Sequence, residues 1–165
     1  MKNNKYLEPS CLTLVEEFHD AFGHPVQDSP TIPSTDRAKL RIDLLEEELH
    51  ELKVAIREQN MTGIADALTD LQYVLSGAIL EFGLAEAFKP LFNEVHRSNM
   101  SKACSTDEEV RATMNFYRIN RGVNDFKIVN KAGKKIVRAA NDKVLKNIKY
   151  SPADLSGVLK LYIKE

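Results

Sequence analysis

The stretch Leu44-Leu45-Glu46-Glu47-Glu48-Leu49-His50-Glu51-Leu52 decides how this chain folds. Leu45, Leu49, Leu52 and Ile56 recur at steps of four, three and four, the period of an amphipathic helix, which predicts one over residues 36–59. At 100° per residue, with Leu45 at zero, Leu49 and Ile56 fall at about +40° and +20° and Leu52 at about −20°. On the same wheel Glu48 lies at about −60°, Glu51 at about −120° and Glu47 at about −160°. Three carboxylates therefore fan along one edge of the apolar stripe. Glu46, His50, Lys53 and Arg57 fall at about 80° to 140°, toward solvent.

A break at 60–63 separates this helix from the next, predicted from Ile64 to about Phe82, where Gly83 ends it. Its stripe is Ile64, Leu68, Leu71, Leu75 and Ile79, and residues 73–80 carry no charge, so its middle is expected to be buried on most sides. With Asp66 at zero, Asp70 falls at about 40°, Tyr73 at about −20° and Gly77 at about 20°, again at a core border. A short connection holds two helices side by side, which lets both acidic edges meet. Repulsion at that density favours protonation or a bound cation. Oxygen-only ligands from Glu47, Glu48, Glu51, Asp66 and Asp70, with no Cys or His among them, suit Mg²⁺, with Mn²⁺ as its substitute. The chemistry such a centre implies is transfer of phosphate to water. A run of Glu ordinarily reads as a solvated face; the matching acids on the following helix argue against that reading here.

Upstream, Leu14, Val15, Phe18, Ala21 and Phe22 predict a helix over 12–22 closed by Gly23. Residues 24–33 form a loop because Pro25, Pro30 and Pro33 prevent regular helix, and Ser34 or Thr35 offers a cap for the helix over 36–59. Downstream, a fourth helix over 85–101 turns Phe88, Leu91, Phe92 and Val95 inward. With Phe88 at zero, Asn99 and Lys102 fall at about 20° and −40°, on the continuation of that stripe. Such a pair can grip a triphosphate, Lys102 as counter-charge and Asn99 by hydrogen bonding. Polar residues at a fraying helix end that simply reach water are the plainer alternative.

Thr106 and Glu109 form a capping-box pattern before Val110, Met114 and Tyr117, predicting a fifth helix that ends near Gly122. Residues 126–129 and 135–137 are β-prone runs around a turn at 130–133, and 144–148 reads as a third strand. Ser151 as cap, Pro152 in the first turn and Asp154 at the third position announce a last helix through Leu155, Leu159 and Ile163. The expectation is a mainly α protein, a four-helix core over 1–104 followed by a small basic α+β extension over 105–165.

The chain has 165 residues, 43% apolar and 28% charged, enough for one ordinary domain with a core. No stretch approaches the roughly 18 apolar residues of a membrane span, so neither an anchor nor a membrane partner is expected and the location is read as cytoplasmic. Cys11 and Cys104 stand alone, which argues against zinc, a redox motif or a disulfide framework. The net charge of −1 hides an asymmetry, since the ten Lys and Arg between Arg118 and Lys149 face only Asp125 and Asp142. Such a block attracts phosphates or nucleic acid, but it is read first as a solvated surface, and nucleic acid is not expected as a partner.

The segments around Glu47-Glu48-Leu49-His50-Glu51, Asp66-Ala67-Leu68-Thr69-Asp70 and Glu94 to Lys102 resemble, in that order, the all-α nucleoside triphosphate pyrophosphohydrolase superfamily. That superfamily takes in MazG-like enzymes, phosphoribosyl-ATP pyrophosphohydrolase and dimeric dUTPases. The resemblance covers residues 12–102 and is closest to small MazG-like proteins related to dimeric dUTPases, with Glu17-Phe18-His19 and Tyr150-Ser151-Pro152-Ala153-Asp154-Leu155 also similar. It implies a MazG-like helical bundle, a homodimer or dimer of dimers, and Mg²⁺-dependent hydrolysis of a nucleoside triphosphate to a monophosphate and pyrophosphate. Glu48 is implied as the group that orients or deprotonates the water. Phe18, His19 and Phe22 are implied in contacts to the base, although Phe18 and Phe22 are ordinary core types. The chain departs from the usual Glu-x-x-Asp motif, which places an acid where Ala67 stands, so Asp66 serves as its substitute.

Two functions fit these residues. One is a pyrophosphohydrolase, dUTPase-like or house-cleaning, with phosphoribosyl-ATP as a lesser alternative substrate. The other is a non-catalytic helical protein that binds nucleotides or nucleic acid.

Overall fold

The computed structural model describes residues 6–163 and is mainly helical, with one two-stranded sheet, as expected. Its contacts divide into two compact units, residues 6–89 with 159–163, and Pro90–Val158. The division falls inside a continuous helix, at Pro90, which lacks the N–H that would bond to the preceding turn.

The first unit is built from α1 (Cys11–Phe22), α2 (Thr35–Arg57), α3 (Met61–Glu81) and the start of α4 (Ala85–Met100). α2 packs on α3, and α1 packs on α3. Ser34 caps α2 by accepting the Arg37 N–H at 3.4 Å. α3 begins three residues earlier than its apolar period suggests, because Asn60 accepts the Gly63 N–H at 3.1 Å and turns the presumed break into a cap. Val15, Ala55, Ala67, Ile79, Leu80 and Ala87 are buried.

The helix stripes are less buried than their period predicts. Leu49 and Ile56 of α2, Leu68 and Leu75 of α3, and Phe92 and Val95 of α4 are all exposed. Only part of the uncharged 73–80 stretch is covered, since Ser76, Gly77, Ile79 and Leu80 are buried while Tyr73 is exposed. α2 and α3 have more apolar surface than the packing within one chain covers.

The 24–33 loop is strapped to the C-terminal end of α3. Gln27 N–H donates to the Leu80 carbonyl, which also accepts from Gly83, and Thr31 N–H donates to the Phe82 carbonyl, both at 3.1 Å, so carbonyls at the helix end satisfy the amides of the loop. Gly83, with φ of 65°, permits this, because a Cβ there would stand 1.8 Å from the Ser29 carbonyl oxygen.

In the second unit, α5 (Asp107–Arg121) packs on a hairpin of β1 (Phe126–Lys131) and β2 (Lys134–Ala139) around buried Cys104, Val110, Val137 and Leu145. The predicted capping box closes with a shift: Thr106 Oγ1 accepts the Glu109 N–H, while Glu109 Oε2 accepts from Ser105. The hairpin turn is tighter than the residue pattern indicates. Ala132 and Gly133, with φ of 51° and 71°, make a two-residue turn that lets the strands extend to Lys131 and Lys134.

The predicted third strand does not form. Residues 144–148 make only an isolated bridge, Val144 with Arg138, because their amides go to different partners: Leu145 N–H donates to the Val137 carbonyl of β2 at 2.9 Å, but Lys146 N–H donates to the Tyr117 hydroxyl at 3.0 Å, Asn147 N–H to the Lys102 carbonyl at 3.1 Å and Ile148 N–H to Thr113 Oγ1 at 3.2 Å. The last helix is also shorter than predicted. α6 (Leu155–Leu159) is capped by Asp154, which accepts the Gly157 N–H at 2.8 Å, whereas the Ser151 hydroxyl instead accepts from Arg97. Both cysteines are free thiols.

Candidate functional site

The acids cluster where α2 crosses α3. Glu48 and Asp70 are half-buried at the helix interface, and Glu47, Glu51 and Asp66 are exposed beside them. Burial pushes the Glu48 carboxyl above its ordinary value, and the charges of Asp70, Glu51, Glu47 and Asp66, in that order, push it further. All five acids singled out from the sequence therefore share one electrostatic field. None of them forms an ion pair among the described residues. Glu48 Oε2 is buried and has no hydrogen-bond partner. A buried carboxylate oxygen with nothing to accept from is costly, and a divalent cation is the kind of group that satisfies it. As the side chains stand, no three His, Cys, Asp or Glu of the described residues close into a ligand set. The all-oxygen donor chemistry of the five acids is of the kind that suits Mg²⁺.

About two to three turns along the same seam the charge reverses. Glu81, fully buried at the end of α3, receives a forked pair of hydrogen bonds from Arg37, one of them from Nε at 3.2 Å, and a further bond from Arg41. Burial acts to raise the Glu81 carboxyl, and the two guanidiniums outweigh it, leaving it below its ordinary 4.5. Arg41 is itself buried and lies against the α3 backbone at Gly77, where a Cβ would stand 2.6 Å from its Nη1. Its Nε has no partner.

His19 completes this network. Its Nδ1 lies 2.9 Å from the Pro25 carbonyl, which only accepts, and its Nε2 lies 3.1 Å from Arg41 Nη2, which only donates. The ring is therefore neutral, with its proton on Nδ1. Burial lowers its pKa below 6.5, the Pro25 bond opposes that, and the Arg41 charge adds to it.

Above this network is a cleft of about 360 Å³, lined by Phe18, His24, Tyr73, Arg41 and Leu44 among others. Tyr73 meets Phe18 edge-on at 5.7 Å, and His24 stacks on Phe18 at 5.7 Å. Leu44 and Tyr73 each lie about one helical turn from Glu48 and Asp70, so the cleft opens next to the acids. Of the residues implied in base contacts, Phe18 and His19 line it, while Phe22 is exposed and stacks behind Phe18 at 4.3 Å. With both ring nitrogens of His19 engaged, only its ring face is open to contact. Asn99 and Lys102 lie in the second unit, where Lys102 Nζ donates to Asn99 Oδ1 at 2.6 Å.

Residues 15–99 match the family described as phosphoribosyl-ATP pyrophosphohydrolase. The chain belongs to that family. The match runs from within α1 to the last turn of α4 and takes in every acid of the cluster, and it ends before α5 and the hairpin. The chain is also similar to an uncharacterized protein of Acanthamoeba polyphaga mimivirus, 39% identical over 74 residues, covering 42% of this chain and 30% of the relative. It thus spans about three-tenths of the length of that curated relative. No helix among the described residues is long and apolar enough to cross a membrane.

Sequence reasoning missed Arg37, Arg41, Glu81, His24 and Tyr73. A signal was present for the arginines: with Leu45 at zero, Arg41 and Arg37 fall at about −40° and −80°, inside the same edge as Glu48. A buried arginine is conspicuous only once its carboxylate partner is known, and Glu81 lies forty residues away.

Proposed function

We propose that this chain is a Mg²⁺-dependent pyrophosphohydrolase that cleaves a nucleoside triphosphate to a monophosphate and pyrophosphate. The observation that carries the reading is Glu48 Oε2, buried and unpartnered in the field of four other carboxylates. Glu47, Glu51, Asp66 and Asp70 would hold the ion with Glu48, and the bound ion would supply Lewis-acid polarisation of the phosphate oxygens. Glu48 is assigned a second task, orienting the attacking water and taking its proton, and its raised proton affinity favours that work. Phe18 and Tyr73 offer ring faces to a base in the neighbouring cleft, and Leu44 and Val74 exclude water from it.

A nucleotide panel measured by pyrophosphate release tests this. Mg²⁺-dependent release from a deoxynucleoside triphosphate such as dUTP, abolished by Glu48→Gln and by Asp70→Asn, is the expected result. Turnover unaffected by either change would overturn it. Phosphoribosyl-ATP belongs in the panel because of the family match, and preferential turnover of it would reassign the substrate while leaving the acids in their roles.

Ile42, Leu49 and Ile56 are exposed at intervals of seven along α2, a straight apolar seam that suits a second copy of the chain. A homodimer by light scattering, converted to monomer by Ile42→Lys with Ile56→Lys, is the expected outcome.

A further inference from the structure

The second unit carries thirteen Lys and Arg against seven Asp and Glu between Pro90 and Val158, a net of +6 on a chain of net −1. Within it lies a cleft of about 320 Å³ whose walls are aromatic and cationic. Phe116 and Tyr117, edge-to-face at 5.5 Å, line it together with Tyr150. Arg121, the last residue of α5, and Lys146 supply the charge. No carboxylate lines the cleft, and neither cation forms an ion pair among the described residues.

The rings are held in place. The Tyr117 hydroxyl accepts the Lys146 N–H at 3.0 Å, and the Tyr150 hydroxyl accepts from Ser98 Oγ at 3.0 Å. Lys146 Nζ stands 4.4 Å over the Tyr150 ring, which keeps the ammonium at the cleft. Phe116 is 46% exposed, although an apolar ring on a highly charged helix gains little from facing water.

These features select a ligand. Free phosphate has no use for three rings, and an apolar ligand has no use for two unpaired cations. A planar base with an attached phosphate uses both, the base stacking on an aromatic face and the phosphate bridging guanidinium and ammonium. We propose that this cleft is a second nucleotide site, with Phe116 as the stacking platform and Arg121 and Lys146 as the phosphate contacts. It lies outside the stretch matched to the family and shares no residue with the acidic cluster. The nucleotide is either free or one residue of a single strand, and the chemistry of the contact is the same.

The test is NMR titration of the full-length chain in EDTA, where the acids of α2 and α3 hold no metal. The probes are adenosine monophosphate and an eight-residue oligoadenylate, read at the backbone amides of Lys146, Asn147 and Ile148. Saturable shifts at those amides are expected, weakened about tenfold by Phe116→Leu and by the double change Arg121→Gln with Lys146→Gln, and unchanged by Glu48→Gln. Binding by the monophosphate assigns the site to free nucleotides; binding by the oligomer alone, with the same dependence on Phe116, assigns it to a strand. No shift with either probe, shifts indifferent to Phe116→Leu, or equal affinity for inorganic phosphate would overturn the proposal. The pyrophosphate-release assay is independent of each of these results.

Discussion

The two ends of the α2–α3 seam carry charge on the same strip of each helix and treat it in opposite ways. At one end Glu81 is enclosed by Arg37 and Arg41, and the buried carboxylate is fully paired. At the other, about two to three turns away, Glu48 faces Asp70 with Glu47, Glu51 and Asp66 around it, and one of its oxygens is buried with no partner. Compensation was within reach of this fold, since it is achieved on the neighbouring turns. Repulsive charge left uncompensated beside a compensated pair is the observation on which the proposed cation site rests.

The largest effect is expected at the compensated end. Glu81→Gln strands two guanidiniums, one of them buried, and should cost about 3–5 kcal/mol in denaturant unfolding, whereas an apolar replacement of Glu81 together with Arg41 should recover most of that loss. If the single change costs nothing, the pairing does not hold this end together. Next comes Gly77→Ala, which pushes a methyl toward Arg41 Nη1 and is expected to cost about 1–3 kcal/mol by the same measurement.

At the uncompensated end the sign reverses. Glu48→Gln removes a charge that four others oppose, so in metal-free buffer it should leave the fold as stable as before or raise stability by about 0.5–2 kcal/mol, while ending turnover. A Glu48→Gln chain that is both inactive and unstable would erase the contrast between the two ends.

The smallest effect is the response to pH. His19 has a folded pKa below 6.5, so the unfolded chain binds the extra proton first, and stability declines as pH falls from about 6.5 toward the folded value. The Glu81 contribution is complete above its ordinary 4.5 and is lost as pH falls through its lower folded value. Glu48, raised in the folded chain, acts in the opposite sense between these windows, so thermal melts of Glu48→Gln should show the two-stage loss, and adding His19→Gln should remove the upper stage alone.

The uncompensated end of the seam was legible in the chain itself, and the compensated end was not, for a physical reason. The acids of α2 and α3 follow a local period, and a short connection leaves those helices few ways to pack, so the wheel alone brought Glu48 and Asp70 to one seam. The caps at Ser34 and Thr106 and the left-handed glycines at 23 and 122 are equally local. The features that the residue pattern did not disclose depend on distant partners. Residues 144–148 have strand composition, but Tyr117, Lys102 and Thr113 take the amides of Lys146, Asn147 and Ile148, and only Leu145 donates to β2. Residues 24–33 take a path set by carbonyls at the end of α3. Leu49 and Ile56 obey the apolar period yet remain exposed, because the period gives the direction of a face and not what covers it.

Whether the unpaired end of the seam holds a divalent cation is read by titrating Mn²⁺ into the nucleotide-free chain and following the free ion by electron paramagnetic resonance. Saturable binding to the wild-type chain, weakened at least tenfold in Glu48→Gln and in Asp70→Asn, is the result predicted. Binding that is absent from the wild-type chain, or equal in all three proteins, would contradict it.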